Sequence, residues 1–418
     1  MDRRSLLRAA LGAPFASGGS RAHSADDFVQ SAGVCTHLSS PPYATQLPLI
    51  RQRLAELGVR TLRDELRPDD DRHLWRALFQ EQGIRAHWLV SPATNTVPQM
   101  LDAIAETGPG AVAAIEGQNE GDSPWFQTQP VSRPRWNDRV VAYQREIFTA
   151  LRARHPQIPV VSPSLLDYRP QDVPLIRGAA RFCDIAAIHP YAQHGQEPET
   201  ADDYASLAWY LRRFSDPFKP GAPVMATEAG YASSGASPVP RLLPEAVVAT
   251  YLPRLLLHFF AAGVQRTFIY ELMDEGFAPD SEQHYGLLRP GGEPKPAFVA
   301  LSRLLGALAD PGPPFQPGVL PVLVEGDVRH VCFQQRDGTI LVALWRAARC
   351  WDPAALRNVT VAPVTATLTH QQVPAATSVL RLDRAGWSSA PGGRTLQISV
   401  DHTVLLVRLV YPTSGTNQ

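Results

Sequence analysis

The chain has 418 residues, of which 44% are hydrophobic, and a formal net charge of −1. This length allows a core domain of about 280 residues with a second, smaller domain. The 39 basic and 40 acidic residues are interspersed, so no basic patch predicts binding to nucleic acid. No apolar run reaches the roughly 20 residues of a membrane span, so stable membrane insertion is not expected.

The cysteine pattern predicts neither a disulfide framework nor a zinc site. The four cysteines are far apart and form no CxxC motif. They are expected to be buried as small hydrophobic residues. No metal or other cofactor is therefore expected, and the sequence does not indicate an oligomeric state. The residues concerned are Cys35, Cys183, Cys332 and Cys350.

The first 25 residues resemble a twin-arginine export signal. Arg3-Arg4 lies ahead of a short run of small and apolar residues, although Pro14 interrupts that run. Ala22 and Ala25 are the nearest candidate cleavage positions. The pattern predicts export to the periplasm or the medium, and the alternative is a disordered tail.

Residues 28–309 alternate between apolar runs and amphipathic segments, which is typical of βα units and a parallel sheet. Eight strands over about 280 residues favour a (β/α)8 TIM barrel over an open sheet. The strands are predicted at 33–38, 59–63, 84–90, 112–115, 160–163, 185–191, 224–228 and 267–271. The helices are predicted at 46–57, 71–82, 100–106, 139–155, 202–214, 246–262 and 297–308.

A proline- and glycine-rich break at 310–314 ends this region. Beyond it, short apolar strands predict a β-sandwich over 316–412. Asp337-Gly338 lies between two such strands and predicts a hairpin with a two-residue turn. Since this domain carries no carboxylate set like that of the barrel, it is expected to support the barrel rather than the chemistry.

Two predicted strands end in a glutamate. Asn119-Glu120 follows the fourth strand and Glu228 ends the seventh. Catalytic groups of such barrels lie at the carboxyl ends of the strands, so the two glutamates are expected to face each other. Paired carboxylates carry out glycoside hydrolysis. Each glutamate taken alone is also compatible with a solvated loop position.

Two further positions fit the same pattern, Arg63 at the end of the second strand and His189-Pro190-Tyr191 at the end of the sixth. Together with Asn119-Glu120 and Glu228, they resemble the motifs of the retaining glycoside hydrolases of clan A. The resemblance spans the whole barrel region. It implies a glycosyl-enzyme intermediate and two carboxyl groups about 5 to 5.5 Å apart.

The resemblance also assigns roles to these residues. It implies that Glu120 is the general acid/base and Glu228 the nucleophile. Asn119 would contact the sugar 2-hydroxyl, and Arg63 and Tyr191 would orient Glu228. His189 would be a further contact of the bound sugar.

The eighth strand departs from the common pattern of the clan, because many members have a tryptophan where this chain has Tyr270-Glu271. That sequence is similar to the family of β-xylosidases, α-L-iduronidases and some exopolysaccharide hydrolases, which also carry a C-terminal β-domain. The similarity implies that Tyr270 and Glu271 contact the substrate. Residues 285–288 and 295–298 also resemble the loop into the last barrel helix of the clan A enzymes but receive no chemical role.

Aromatic side chains in the strand-end loops are candidate walls of sugar subsites, since aromatic rings stack on the apolar faces of sugars. The candidates are Trp125, Phe126, Trp136, Tyr191 and Tyr231.

The sequence therefore predicts a retaining glycoside hydrolase that cleaves O-glycosidic bonds, of β configuration, in a poly- or oligosaccharide. One alternative is a non-catalytic carbohydrate-binding protein on the same barrel. A metal-dependent hydrolase is disfavoured, because the first strand offers His37 without a His-x-His motif. Arg63 could instead pair with Asp64 or Glu65, and His189 could be a core histidine.

Overall fold

The computed structural model describes residues 22–192, 195–200, 204–234, 242–276 and 281–412. Most of the predicted export signal, residues 1–21, lies outside the described residues. Export therefore stays a prediction. Within the described ranges, no helix is both long enough and apolar enough to cross a membrane.

Eight parallel strands form one sheet with the order β5-β4-β3-β2-β1-β8-β7-β6. A bridge between Val161 and Ile185 joins its two edges, so the sheet closes as the predicted TIM barrel. The strands are β1 (Ala32–Cys35), β2 (Thr61–Glu65), β3 (Arg85–Leu89), β4 (Val112–Glu116), β5 (Val160–Val161), β6 (Ala186–Ile188), β7 (Val224–Ala229) and β8 (Arg266–Ile269).

Strands β5 and β6 are shorter than the sequence predicted. Each is followed within two residues by a proline, Pro163 and Pro190, and a proline has no backbone N–H to continue the ladder. The chain therefore leaves the sheet early and brings the next residues to the barrel mouth.

Helices surround the barrel. They are α1 (Leu47–Leu57), α2 (Arg72–Gln82), α3 (Val97–Thr107), α4 (Trp136–Arg154), α5 (Val173–Ile176), α6 (Leu207–Tyr210), α7 (Glu245–Ala261) and α8 (Pro296–Leu308). Local sequence defines several ends: Asp71 caps α2, and Thr96 with Gln99 forms a capping box on α3. The sequence missed α5, which is short and continues as the 3-10 helix Arg177–Phe182.

The barrel interior has an apolar lower layer and a polar upper layer. Since alternate strand residues face the same side, Glu116 lies on the same face of β4 as Ala114, two residues earlier. The polar layer above it is where the candidate site forms. The apolar layer consists of Ala114, Val161, Ile185, Ala187 and Met225.

The C-terminal region forms two antiparallel sheets that share a core, which confirms the predicted sandwich. Its strands are β9 (Val322–Glu325), β10 (Arg329–Gln334), β11 (Ile340–Trp345), β12 (Val364–His370), β13 (Ala376–Arg381), β14 (Thr395–Val400) and β15 (Leu405–Val410). One sheet has the order β9-β12-β14, and the other contains β10-β11-β15-β13.

The turn between β10 and β11 differs from the prediction. Pairing ends at Gln334 and Ile340, and Gly338 N donates to Gln335 O at 2.9 Å. Asp337 and Gly338 are therefore the third and fourth turn residues, and the two-residue turn was wrong. Gly338 has a φ of +88°, which suits the bulge position that follows a type I turn.

The N-terminal segment joins the β-domain. His23–Ser24 forms a short parallel strand beside β10, with His23 opposite Phe333. The sequence had placed these two residues in the export signal. Cleavage at Ala25 would remove this strand, whereas cleavage at Ala22 would keep it.

Barrel and β-domain share a continuous core. The Phe333 ring lies 5.4 Å from that of Phe28. A buried ion pair of the barrel contacts the β-domain: Arg254 of α7 pairs with Glu199, and Trp345 Nε1 of β11 donates to Glu199 Oε1 at 2.6 Å. All four cysteines are buried and unpaired, as expected.

Candidate active site

The turn after β4 delivers Glu120 to the barrel mouth. The strand ends at Glu116, one residue later than predicted, and Gly117 begins the turn, because a Cβ there would lie 1.9 Å from Gln144 Oε1. Glu120 has a φ of +43°, a conformation that side chains other than glycine rarely adopt. Its backbone N–H donates to Ser164 Oγ at 3.0 Å, which helps to hold this geometry.

Glu228 lies in β7 with 8% of its surface exposed. Its Oε1 accepts a hydrogen bond from Arg63 Nη1 at 2.8 Å, and its Oε2 accepts one from the Tyr191 hydroxyl at 2.9 Å. Burial alone raises the pKa of Glu228, but His189, Arg63 and Tyr191 together bring it below its ordinary value. Glu228 is therefore held as a carboxylate.

His189 lies between the two glutamates rather than in the core. Its Nδ1 is 2.9 Å from Glu120 Oε1 and 3.6 Å from Glu228 Oε2. Burial lowers the pKa of His189, but the two carboxylates outweigh burial and raise it above the ordinary value. One ligand atom of each of the three residues lies within 4.8 Å of the others, so the two carboxyl groups are close together.

Arg63 pairs with Glu116 and Glu228, so the alternative pairing with Asp64 or Glu65 was wrong. Its Nε and Nη2 donate to Glu116 at 2.8 and 3.0 Å, a bidentate contact. His87 Nε2 lies 2.8 Å from Glu116 Oε2. Burial alone raises the pKa of Glu116, but Arg63 and His87 lower it well below the ordinary value.

Sequence reasoning missed Glu116. It ends an apolar run, and such a run by itself predicts only a strand. The available signal was its spacing of two residues from Ala114, which places it inside the barrel. A buried carboxylate at an inward position needs a cation, and Arg63 supplies it.

Asn119 is oriented by the same arginine. Its Oδ1 accepts from Arg63 Nη2 at 2.7 Å, and Ser164 Oγ lies 3.4 Å away. Because the oxygen is used in this way, the Nδ2 group is the part of the amide that can donate to a substrate oxygen.

Four half-buried rings form a wall next to Glu228. Tyr285, in the loop to which no role was given, lies 5.6 Å from both Tyr191 and Tyr270 between ring centroids. Tyr270 lies 5.9 Å from His37. Tyr191 and Tyr270 are therefore brought together at the mouth, with Tyr285 and His37 as additions that the sequence did not predict.

Glu271 is fully buried behind this wall. Its Oε2 accepts from the Tyr43 hydroxyl at 2.8 Å and lies 3.5 Å from His37 Nε2. Burial, with the nearby carboxylates, raises the pKa of Glu271 to about 9. Glu271 follows β8, and Glu228 lies in the neighbouring parallel strand β7. The two carboxyl groups are therefore at the same end of the barrel.

Of the remaining aromatic candidates, Trp125 is the most exposed. It lies on the short helix Pro124–Thr128 and is 55% exposed. Phe126 is fully buried, and Trp136 begins α4 and packs on the core. Tyr231 is 3% exposed, and its hydroxyl donates to Gln196 O at 3.0 Å. Phe126 and Tyr231 therefore serve packing, and their assignment as subsite walls was wrong. Trp136 is half-buried, and a Cβ on Gly121, the residue after Glu120, would lie 3.2 Å from its ring, so its assignment stays a prediction.

No model of a known protein family matches the sequence, and no curated protein matches it either. Solved structures do match the fold. A family 39 glycoside hydrolase from Bacteroides cellulosilyticus WH2 is 16% identical, with a TM-score of 0.62 and coverage of 92% of this chain and 82% of that chain.

Two other structures are similar over nearly the whole chain. A glucosidase from Croceicoccus marinus is 11% identical, with a TM-score of 0.62 and coverage of 94% of this chain and 98% of that one. A family 51 α-L-arabinofuranosidase from Thermotoga petrophila RKU-1 is 10% identical, with a TM-score of 0.61 and the same coverage. At these identities the likeness establishes the shared fold.

Proposed function

We propose that this chain is a retaining glycoside hydrolase that cleaves O-glycosidic bonds. The observation that carries the proposal is that one carboxyl oxygen of Glu120 and one of Glu228 lie within 4.8 Å of each other at the barrel mouth, 2.9 and 3.6 Å from the shared His189 Nδ1. Retaining enzymes hold their carboxyl groups about 5 to 5.5 Å apart, whereas inverting enzymes need about 6.5 to 9.5 Å to admit a water between them. The short separation supports the retaining mechanism.

Glu228 is the nucleophile in this proposal. Arg63 and Tyr191 donate to its two oxygens, and its lowered pKa supplies the ionised form that attacks the anomeric carbon. The attack forms the C1–O bond of a glycosyl-enzyme and breaks the bond to the leaving oxygen. The fixed contacts of Glu228 orient it before the substrate arrives.

Glu120 is the general acid and then the general base. It gives its proton to the leaving oxygen in the first step and accepts a proton from water in the second. Its side chain, at 19% exposure, is more open than that of Glu228 at 10%, which suits a group that meets both the leaving group and water. His189 Nδ1, 2.9 Å away, orients this carboxyl group.

The other assignments complete a sugar site. Asn119 Nδ2 donates to the 2-hydroxyl, a contact that strengthens in the transition state. Tyr270 borders the sugar bound at Glu228, and exposed Trp125, five residues after Glu120, stacks on the leaving-group side. The β configuration, the polymeric substrate and the family of xylosidases and iduronidases are parts of the proposal that rest on the sequence resemblance alone. The similar structures described as a glucosidase and an arabinofuranosidase support the general activity.

A non-catalytic carbohydrate-binding protein is the alternative. Such a protein has no need of a carboxylate that two donors and a histidine keep ionised, so the surroundings of Glu228 favour catalysis.

The test is hydrolysis of a panel of aryl glycosides and polysaccharides, with the product anomer followed by NMR before mutarotation. We expect retention of configuration. Inversion, or no turnover on the whole panel by a folded and glycan-binding protein, would contradict the proposal. A 2-fluoro glycoside that reacts should label the peptide that contains Glu228.

A further inference from the structure

A buried lysine lies beside the loop that carries Tyr285. Lys295 directly precedes α8 and is 3% exposed, although lysine side chains are almost always at the surface. An ammonium group that is taken out of water needs acceptors for its three protons. The partners of Lys295 therefore show what its burial achieves.

The Lys295 ammonium group has three acceptors. Its Nζ donates to Asp274 Oδ1 at 2.8 Å, to Ser233 Oγ at 3.1 Å and to His284 O at 3.5 Å. Ser233 lies in a short strand that follows β7, the strand of Glu228, whereas Asp274 and His284 lie in the loop after β8. Lys295 therefore joins the loops that follow two neighbouring strands.

Asp274 links the lysine to the segment that contains Tyr285. Its Oδ1 accepts from Gly286 N at 2.8 Å as well as from Lys295. A Cβ on Gly286 would lie 2.0 Å from Asp274 N, so only glycine allows the two segments to approach this closely. The buried carboxyl group is therefore held between the ammonium group and the backbone N–H that follows Tyr285.

The peptide bond between Tyr285 and Gly286 is held at both of its polar groups. Its N–H donates to Asp274, and its oxygen accepts from Glu271 N at 3.2 Å. A backbone that is fixed in this way leaves the Tyr285 side chain only its few staggered rotamers. The direction of the ring therefore depends on the contacts of Asp274.

The Tyr285 ring lies next to the space in front of Glu228. It is 5.6 Å from the Tyr191 ring, whose hydroxyl donates to Glu228, and 5.6 Å from the Tyr270 ring. Burial raises the pKa of Tyr285 to about 12, and the charges of Glu282 and Glu228 add to this rise. A sugar bound at Glu228 therefore meets this ring.

We propose that Lys295 is a positioning residue, which together with Asp274 fixes Tyr285 as the wall against which the sugar at Glu228 binds. This inference rests on the proposed function, because it requires a sugar site at Glu228. The wall contacts the sugar before and during the reaction alike. Loss of its position therefore weakens binding of substrate and transition state equally, which raises KM and leaves kcat nearly unchanged.

The test measures the binding of sugars that are not cleaved. Isopropyl 1-thio-β-glycosides of the gluco, galacto and xylo series are titrated calorimetrically into the full chain and into Lys295→Met, a substitution of similar length. For the sugar that binds most tightly, we expect Kd to rise about tenfold in Lys295→Met. With an aryl glycoside of the same sugar, KM should rise by a similar factor, and kcat should change by less than about threefold.

A double-mutant cycle separates positioning from a purely structural role. Tyr285→Ala should itself raise Kd about tenfold, because the ring no longer packs on the sugar. In that background Lys295→Met should change Kd by less than about twofold, because no ring remains to be positioned. A tenfold loss from Lys295→Met in both backgrounds would overturn the inference.

A second variant guards against loss of stability. Lys295→Met leaves Asp274 buried without its cation, whereas Asp274→Asn/Lys295→Met removes both charges together. We expect the double variant to be more stable than Lys295→Met and yet to keep the rise in Kd, because the contacts with Ser233 and His284 are still missing. Recovery of both stability and Kd would assign the lysine to stability alone and contradict the inference.

Lys219→Met is the matched control. Lys219 is half-buried and donates to Cys183 O, and both residues precede their strands, β7 and β6, at the opposite end of the barrel. This change should leave Kd and KM as in the wild type. The same rise in Kd in Lys219→Met would show that any lost lysine contact has this effect, and the inference would fail.

The outcome is separable from that of the proposed function. Hydrolysis by the wild type with an unchanged Kd in Lys295→Met would remove this inference and leave the hydrolase standing. Weaker binding in Lys295→Met without any hydrolysis by the wild type would support the positioned sugar site and contradict the hydrolase. A wild-type chain that binds none of the thioglycosides would overturn the inference as well.

Discussion

Glu120 and Glu228 share His189 as a neighbour, since its Nδ1 is hydrogen-bonded to Glu120 Oε1 at 2.9 Å and lies 3.6 Å from Glu228 Oε2. The imidazole therefore contacts Glu120 and acts on the charge of Glu228 from one position. After burial, which raises the pKa of Glu228, His189 is the largest influence that lowers it.

This arrangement predicts a shift in the pH profile of His189→Ala. Without the imidazolium the pKa of Glu228 rises, so the acid limb of kcat/KM should move to higher pH. An aryl glycoside whose leaving group needs no proton isolates the ionisation of Glu228 in this measurement. We expect kcat/KM near neutral pH to fall about 10- to 100-fold. An acid limb that stays in place would show that His189 only packs against the glutamates.

Glu116→Gln should destabilise the fold in a pH-dependent way. The fully buried carboxylate neutralises Arg63, and removal of one member of a buried pair costs about 3 kcal/mol. Because the folded-state pKa of Glu116 is lowered, this stabilisation is complete above the unfolded value of 4.5 and is lost as the pH falls through the folded value. The difference in unfolding free energy from the wild type should therefore persist from pH 7 to 5 and shrink below 4.5.

The control for Glu116 is Glu146→Gln, which removes an exposed ion pair with Arg139. That change should cost at most about 1 kcal/mol at any pH. A pH-independent loss in Glu116→Gln would assign its effect to packing instead of charge.

The fold was largely predictable from the sequence, because the spacing of apolar runs reports βα units directly. The predicted bounds were wrong where local chemistry overrides periodicity. Pro163 and Pro190 make β5 and β6 shorter than predicted, and α4 begins at Trp136 rather than at residue 139. The strand-end rule brought together Arg63, Asn119, Glu120, His189, Tyr191 and Glu228. That rule does not reach Glu116, because this residue lies within β4 on its inward face rather than after the strand.

Other parts of the site depend on tertiary packing that a sequence does not show. Tyr43 contacts Glu271 across 228 positions of the chain, and Tyr285 meets Tyr191 only through the folded loop after β8. The exposure of a side chain is also not visible in the sequence. Trp125 and Phe126 are neighbours in the chain, yet Trp125 is exposed and Phe126 is buried.

Phe333→Ala should test how the β-domain supports the barrel. The buried ring packs on Phe28 and Phe260 at 5.4 and 5.9 Å, so its loss should cost about 3 to 5 kcal/mol of unfolding free energy. Leu323→Ala, at a 45% exposed position, should change stability by no more than about 0.5 kcal/mol. Hydrolysis of aryl glycosides at a temperature where the variant stays folded should be nearly unchanged. A variant of full stability that loses only polysaccharide binding would identify the domain as a substrate-binding module.

Export is proposed from Arg3-Arg4 and the apolar run behind it. Replacing both arginines with lysine should leave the protein in the cytoplasm, which fractionation of the producing cells would measure. The N-terminus of the exported protein should lie at or before His23, since His23–Ser24 pairs with β10. Unchanged export of the double variant would remove the twin-arginine interpretation.

The glutamate pair itself gives the sharpest test of the proposed roles. Glu228→Ala should abolish formation of the glycosyl-enzyme, whereas Glu120→Ala should spare the first step for substrates whose leaving group needs no proton and then stall at deglycosylation. Each loss should be at least about 10²- to 10⁴-fold on natural glycosides.

Azide should then rescue the two variants differently, because it enters at different steps. In Glu120→Ala it intercepts the glycosyl-enzyme and returns a β-glycosyl azide from a β-glycoside, since two displacements restore the configuration. In Glu228→Ala it occupies the space of the missing carboxylate, attacks C1 directly and gives the α-azide. NMR of the products distinguishes the two anomers. The same anomer from both variants, or wild-type turnover in either one, would contradict the assignment of Glu120 as acid/base and Glu228 as nucleophile.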